Sequence, residues 1–315
     1  MPSLREEKGM VLLLVLVIVA LLTSLLTEFA FSTLVDLRLT ETFRDSTRAY
    51  YLAKGGVRVG RIILQDDRNA WDAPTELWGQ GVSSYPVGDG VVSVHIEDLE
   101  GRLNINRLVD QSGYNPDPVF RKRFNKLFSE LDFAEPENLT AALIDWIDKD
   151  STEDNPGGGI RGAEDDYYLR LERPYHCTNE PLVSLDELAM IRGFTPEIRQ
   201  ALNEHVTVYG GTSLNINTAS PQTLFAWYAW DDPRLDTSIA EAIVTAREKE
   251  PIRDTTELKA VVVGTDYSVL NQQGDIAFKS GTYRIVSWAG VNDGTRTMEA
   301  IVAKPGNKLL FTKVN

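Results

Sequence analysis

The densest chemistry in the sequence lies between residues 145 and 187, where twelve acids and four bases contribute −8 of the chain's net charge of −14. The order is Asp145-Trp146-Ile147-Asp148-Lys149-Asp150, then Asn155-Pro156-Gly157-Gly158-Gly159, then Gly162-Ala163-Glu164-Asp165-Asp166-Tyr167-Tyr168. Asp145 and Asp148 are three apart and share one face at the end of a helix, with Asp150 just beyond. A helix C-terminus repels carboxylates, so three acids there call for an offsetting positive charge. The glycines let the backbone turn tightly and offer carbonyl oxygens. Carboxylates, backbone oxygens and flexible glycines together describe a hard-cation site, and Ca²⁺ accepts such a loose oxygen set more readily than Mg²⁺. Zinc would want nitrogen and sulfur, and His176-Cys177 lacks two further ligands at recognisable spacing. The EF-hand pattern does not occur. A solvated acidic loop would have the same composition, so the residues alone leave both readings open.

The elements that would position this segment start with the N-terminus. Gly9 and Met10 precede an uncharged apolar run over residues 11–27. At 1.5 Å per residue, about 18 residues span roughly 27 Å, close to one bilayer core. A secretory signal places its cleavage site after the apolar run, whereas here the glycine lies before it. Arg5 and Lys8 lie on the leader side, which favours a cytoplasmic leader and an exported bulk. The apolar pattern continues as an amphipathic one, predicting a single helix over residues 10–65 with a possible weak point at Gly55-Gly56. Alternation over residues 91–96, 281–291, 295–304 and 309–313 predicts strands, and Asn292-Asp293-Gly294 predicts a hairpin.

Residues 105–275 read as mostly helical. Leu103-Asn104-Ile105-Asn106 recurs as Leu214-Asn215-Ile216-Asn217, and each copy leads to a capped helix start. One start is Ser184 to Leu188, closing at Gly193; the other is Asp254 to Leu258, closing at Gly264. Both fit the capping box. Two related helical modules follow, the first about 41 residues longer because it carries the acidic segment.

Length allows about two domains beyond the anchor. With 43% hydrophobic residues the chain is not globally disordered, and a net charge of −14 opposes a nucleic-acid partner. A single cysteine, Cys177, permits no intrachain disulfide. His95, His176 and His205 are the three histidines, with no G-x-S-x-G or H-E-x-x-H around them. The chain therefore reads as a non-enzyme. At their spacing, Trp227, Tyr228 and Trp230 read as core rather than as a partner patch.

A charged leader ending in Lys8-Gly9 directly before the anchor resembles the type IV pilin and pseudopilin family. That family is cut at Lys-Gly by a prepilin peptidase and methylated on the new N-terminus, here Met10. Such pilins carry Glu at the fifth mature position; here Leu14 stands there. The block Asp145 to Asp150, Gly162-Ala163-Glu164-Asp165, Tyr167-Tyr168, Asn179-Glu180-Pro181-Leu182 and Asn215-Ile216-Asn217-Thr218-Ala219 is similar to the K-type minor pseudopilins of type II secretion. The resemblance implies an α+β, type IV pilin-like fold, with a long N-terminal helix packed on an antiparallel sheet and a large, mainly helical insertion. It divides the chain into a leader (1–9), the anchor and amphipathic helix (10–65), a pilin-like part (66–104 and 276–315) and the insertion (105–275). It implies two calcium ions, with Asp145, Asp148, Asp150, Glu164, Asp165 and Asn179 as ligands, their partition between ions open. It implies a subunit at the pseudopilus tip, anchored once in the bacterial inner membrane with its bulk periplasmic, and partnered by I- and J-type minor pseudopilins. The Asn215-Ile216-Asn217-Thr218-Ala219 stretch also resembles helix-hairpin-helix DNA-uptake proteins of competence type. Its hairpin position, Trp230-Asp231-Asp232-Pro233-Arg234, has no glycine and adds two acids that would repel phosphate.

Overall fold

The computed structural model describes residues 4–232, 234–272 and 276–315. Met1, Pro2, Ser3 and Pro233 lie outside the described residues, as do 273–275 at the expected end of the insertion. Helix α1 runs unbroken over Leu4–Asp66. Its exposed first part contains an 18-residue stretch of mean hydropathy 3.0, long and apolar enough to cross a membrane.

The second half of α1 packs on a five-stranded antiparallel sheet of order β1-β2-β7-β8-β9. After the one-turn helix α2 (Leu77–Gln80) come β1 (Val82–Val87) and β2 (Gly90–Asp98). The remaining strands are β7 (Thr282–Val291), β8 (Gly294–Ala303) and β9 (Lys308–Val314). The Asn292-Asp293 turn joins β7 to β8 as the sequence predicts, with Asn292 at φ 47°. Strand β1 was not anticipated, because Ser83, Ser84 and Pro86 break its apolar alternation. It is an exposed edge strand, where Pro is tolerated.

Gly55-Gly56 does not weaken the helix. Ala49, Ala53, Gly56, Val57, Gly60 and Leu64 form the buried stripe of α1, at helical spacing. A Cβ at Gly56 would lie 2.1 Å from Ser287 Oγ, and one at Gly60 2.9 Å from an Ile285 methyl. The glycines let helix and sheet approach more closely than any side chain would permit, whereas Gly55 faces open space.

The helical part enters after Asp98 and leaves before Tyr283, two residues paired across neighbouring strands β2 and β7. It therefore hangs from one end of the sheet without interrupting it. It has its own core, separate from that between α1 and the sheet. Its first half comprises β3 (Leu103–Asn104), α3 (Pro118–Glu130), α4 (Pro136–Ile147), α5 (Asp165–Tyr168), a 3-10 turn at Leu185–Met190, α6 (Pro196–Leu202) and β4 (Val206–Thr207). Its second half repeats the plan with β5 (Leu214–Asn215), α7 (Pro221–Tyr228), α8 (Ser238–Arg247), α9 (Thr255–Val261), α10 (Thr265–Gln272) and β6 (Ile276–Ala277). Leu103-Asn104 thus pairs inside the first module, with Val206-Thr207, rather than extending the main sheet.

The repeated tetrapeptide has one job in both copies. Asn106 takes the Leu182 amide on its side-chain oxygen and donates to the Leu182 carbonyl, 2.8 Å each. Asn217 does the same with Ile252, at 2.9 Å each. Leu182 and Ile252 each lie two residues before the cap, so each Asn clamps the approach to its capped turn. Ser184 and Glu187 form the full capping box. In the second copy Asp254 caps the helix, but Glu257 reaches past it to the Arg253 amide. Gly193 (φ 88°) and Gly264 (φ 66°) close the two turns in the left-handed region.

Gly56→Ala is expected to lower stability by about 1–3 kcal/mol through overpacking. Gly55→Ala should be neutral or stabilising by up to about 1 kcal/mol, since alanine suits a helix interior better than glycine. Denaturant unfolding of the two variants side by side checks this.

Candidate metal centre

Helix α4 ends at Ile147, with Asp148 as its C-cap in extended conformation. The burial of Trp146 and Ile147 fixes this end against the first module's core, and the flanking acids go inside with it. Asp145 is 0%, Asp148 3% and Glu164 5% exposed. Asp148, Asp150 and Glu164 each bring a carboxylate oxygen within 4.8 Å of the others.

Around this cluster, buried oxygens lack hydrogen-bond partners: Asp145 Oδ2, Asp148 Oδ1, Glu164 Oε1 and Asn179 Oδ1. Such atoms forfeit hydration with no replacement, an arrangement a native fold rarely keeps without a counterpart. Three nearby bases are occupied elsewhere. Lys149 Nζ donates to the Ser112 carbonyl at 3.0 Å. Arg121 makes a two-pronged pair with Asp154, 2.7 Å on each prong. Arg192 donates to the Gly162 carbonyl at 3.0 Å and lies over the Tyr167 ring. No ion-pair partner of Asp148, Asp150 or Glu164 occurs among the described residues.

Burial pushes the Asp145 carboxyl up to about 8, opposed by the Asp154 amide and reinforced by Glu164. Burial likewise raises Asp148 to about 7, with Asp150 and Glu164 adding repulsion. Glu164 also rises to about 7, again mainly by burial.

Of the residues predicted as ligands, Asp148, Asp150 and Glu164 converge here, and Asp145 and Asn179 border them with open oxygens. Asp150 also accepts the Thr152 amide at 2.7 Å, and Asn179 donates to the Asp150 carbonyl at 3.2 Å, which fixes its side chain beside Asp150. Asn179 is held in the left-handed region, φ 49°. Asp165 is directed elsewhere: it accepts from the Cys177 amide at 2.8 Å and sits 2.7 Å from His176 Nδ1. Its adjacency to Glu164 in sequence could not reveal that α5 starts between them and turns the two side chains apart.

The sequence reading missed two supports. Asp154 hands its amide to Asp145 Oδ1 at 2.8 Å while Arg121 grips its carboxylate. Gly162 lies so close to Asp145 that a Cβ there would be 1.9 Å from Oδ2. The three-carboxylate set Asp67, Asp72 and Glu76 at the end of α1 was also missed. There Lys304 pairs with Asp67 and Asp72, so that set already has its cation. Ligands for a second ion in the acidic loop are not gathered into a separate cluster among the described residues.

The other candidate groups have packing roles. Trp227 and Tyr228 are in the core, at 2% and 0% exposure. In the stretch read as a DNA-hairpin position, Asp231 pairs with Lys122 and Asp232 with Arg234. His205 hydrogen-bonds Ser220 at 2.8 Å, beside Thr223.

Without metal, stability should fall as pH rises from about 5 to 8. The folded state then holds protons on Asp145, Asp148 and Glu164 that the unfolded chain, with carboxyls near pKa 4, has released. If the cluster takes up Ca²⁺, millimolar calcium should flatten the decline, because a cation favours the charged forms. Melting curves at several pH values, with chelator and with calcium, check this.

The family model described as "Type II secretion system (T2SS), protein K" matches residues 101–211, the span of the first helical module. Type II secretion system protein K of Klebsiella pneumoniae is 30% identical over 230 residues, 69% of this chain and 68% of that protein. The protein of the same name from Pseudomonas aeruginosa is 28% identical over 303 residues, covering 92% and 86%. That of Aeromonas hydrophila is 26% identical over 333 residues, covering 99% and 98%. In fold, the chain matches a chain in the crystal structure of the GspK-GspI-GspJ complex of enterotoxigenic Escherichia coli, with TM-score 0.70 and 18% identity over 89% of this chain and 99% of that one. With a pilin-like body, a duplicated helical insertion and these relatives, the chain belongs to the type II secretion system protein K family.

Proposed function

We propose that this chain acts as the minor pseudopilin at the tip of a type II secretion pseudopilus, helping to start pseudopilus assembly for protein export across the outer membrane. The observation that carries the reading is α1: one 63-residue helix, membrane-length and apolar at its start, amphipathic and sheet-packed at its end. Such an element ties a globular body rigidly to a membrane and offers its exposed face to neighbouring helices. Two features support the tip position. Leu14 removes the carboxylate that pilins place against a neighbour's terminal amine. The insertion hangs from one end of the sheet, where a subunit enclosed by neighbours on every side has little room. By this reading the anchor crosses the inner membrane once, the body is periplasmic, and the partners are I- and J-type minor pseudopilins, as in the complex of similar fold.

Maturation is part of the proposal. A prepilin peptidase cleaves after Gly9 and Met10 becomes the methylated N-terminus, because the glycine precedes the apolar run. Gly9→Leu is expected to leave the precursor uncut; mass spectrometry of the protein from native membranes decides, and an unaltered precursor in the wild type would refute the cleavage.

The acidic loop holds calcium in this reading. Asp148, Asp150 and Glu164 supply carboxylates, with Asp145 and Asn179 supplying the further oxygens that lack partners. The donor set is all oxygen, which suits a hard divalent cation. When bound, the ion supplies positive charge that lets buried carboxylates stay ionised; the protein's part is to hold them converged with Arg121, Asp154 and Gly162. At a hundredfold excess of calcium over its dissociation constant, stability should rise by about 2.7 kcal/mol. Asp148→Asn should remove most of that gain while raising the stability of the metal-free form. A melting temperature indifferent to calcium and chelator would refute the site.

A further inference from the structure

The two open flanks of α1 beside the sheet differ in chemistry. On the β1 side, Tyr51, Leu52, Val59, Tyr85 and Val87 line a groove without a charged side chain. On the β9 side a groove of about 540 Å³ has an apolar floor including Val57, Ile62, Met298 and Leu309, and carries Lys54, Arg58 and Arg61. These three cations are spaced i, i+4 and i+7, so they form one stripe along the helix. No acid lines the groove. Arg61 is fixed by Asn307, donating to its side chain at 2.9 Å and its carbonyl at 2.8 Å. Lys54 and Arg58 are exposed and make no ion pair among the described residues, in a chain of net charge −14.

We propose that this β9-side groove docks an acidic amphipathic helix of a different membrane-anchored subunit, its apolar side on the groove floor and its carboxylates opposite Lys54, Arg58 and Arg61. The proposal rests on the pseudopilin reading and adds which flank is used and what chemistry the partner presents. Anionic lipid is a poor occupant. Lys54 lies 27 residues beyond the apolar run, about 40 Å along the helix, many times the roughly 8 Å screening length at physiological salt. A second copy is also a poor occupant. Copies anchored in the same membrane by equal helices would bring like cations to the same height, and like charges in juxtaposition disfavour association.

The test uses the full-length chain in detergent micelles with full-length I- and J-type subunits, and a photo-crosslinking residue at Ile62. The expected adduct is to an acid-bearing helix of one of those subunits. Lys54→Glu/Arg58→Glu is expected to weaken binding of that subunit about tenfold at low salt. Lys54→Arg/Arg58→Lys should retain binding, and acid-to-lysine changes in the partner should restore it to the reversed pair. Both side chains are exposed, so an unchanged melting temperature verifies folding. Adducts with a second copy or with lipid, no adduct, or affinity within twofold of wild type after charge reversal would each overturn the groove assignment while leaving the pseudopilin reading in place. No binding of either subunit to the unaltered chain would sink both.

Discussion

Asp98 is the point on which the arrangement of the chain turns. Its carboxylate is buried, with no ion-pair partner among the described residues, and is held by four donors. These are the Thr218 hydroxyl at 2.5 Å, the Ser280 hydroxyl at 2.7 Å, the Glu100 amide at 2.8 Å and the Asn215 amide group at 2.9 Å. The donors come from the second helical module, from the strand junction and from the loop that enters the insertion. Asn215 also reaches the Asp72 carbonyl, and the Asp72 carboxylate accepts the Ser280 amide and pairs with Lys304. The end of α1, the sheet and the insertion therefore meet in one hydrogen-bond network. A buried carboxylate is tolerated only when its lone pairs are met, so the network fixes how the insertion sits on the sheet.

The same residue type builds the joints farther out. Asn104 stands in the first module where Asn215 stands in the second. Each accepts the amide two residues on, and each donates to whatever its module rests upon. Asn104 donates to the Gly210 carbonyl, in the connection between modules, so module one leans on module two and module two on the sheet. An asparagine suits this position because its amide both accepts and donates, and so can meet two backbone groups at once.

Among the buried carboxylates, those of the acidic loop behave differently. Asp98 and Asp72 are buried with their needs met; Asp145, Asp148 and Glu164 are buried with oxygens left open. Burial costs all these carboxylates alike, but in the loop the cost is left unanswered by the described residues. The loop belongs to the first module alone: the two modules share a frame, and the longer connection of the first carries the carboxylate cluster.

Much was legible in the sequence because it rests on local periodicity and local chemistry. The apolar run, the long helix, the β7–β8 hairpin, the repeated Leu-Asn-Ile-Asn and the helix caps each follow from neighbours a few residues apart. The acidic composition likewise drew attention to the segment around Asp145, Asp148 and Asp150, whereas Glu164 and Asn179 came in only through the family resemblance. Contacts between distant segments were not legible. Gly56 looked like a weak point because the Ser287 hydroxyl that requires it lies more than two hundred residues away. Asp165 was placed beside Glu164 by the resemblance alone, which does not report the turn that swings it to His176. Strand β1 was hidden by serines and proline that only an edge position accommodates. The sequence by itself determined the elements and the charges; the tertiary structure decided which charges were answered, because that depends on which distant donor arrives at each buried oxygen.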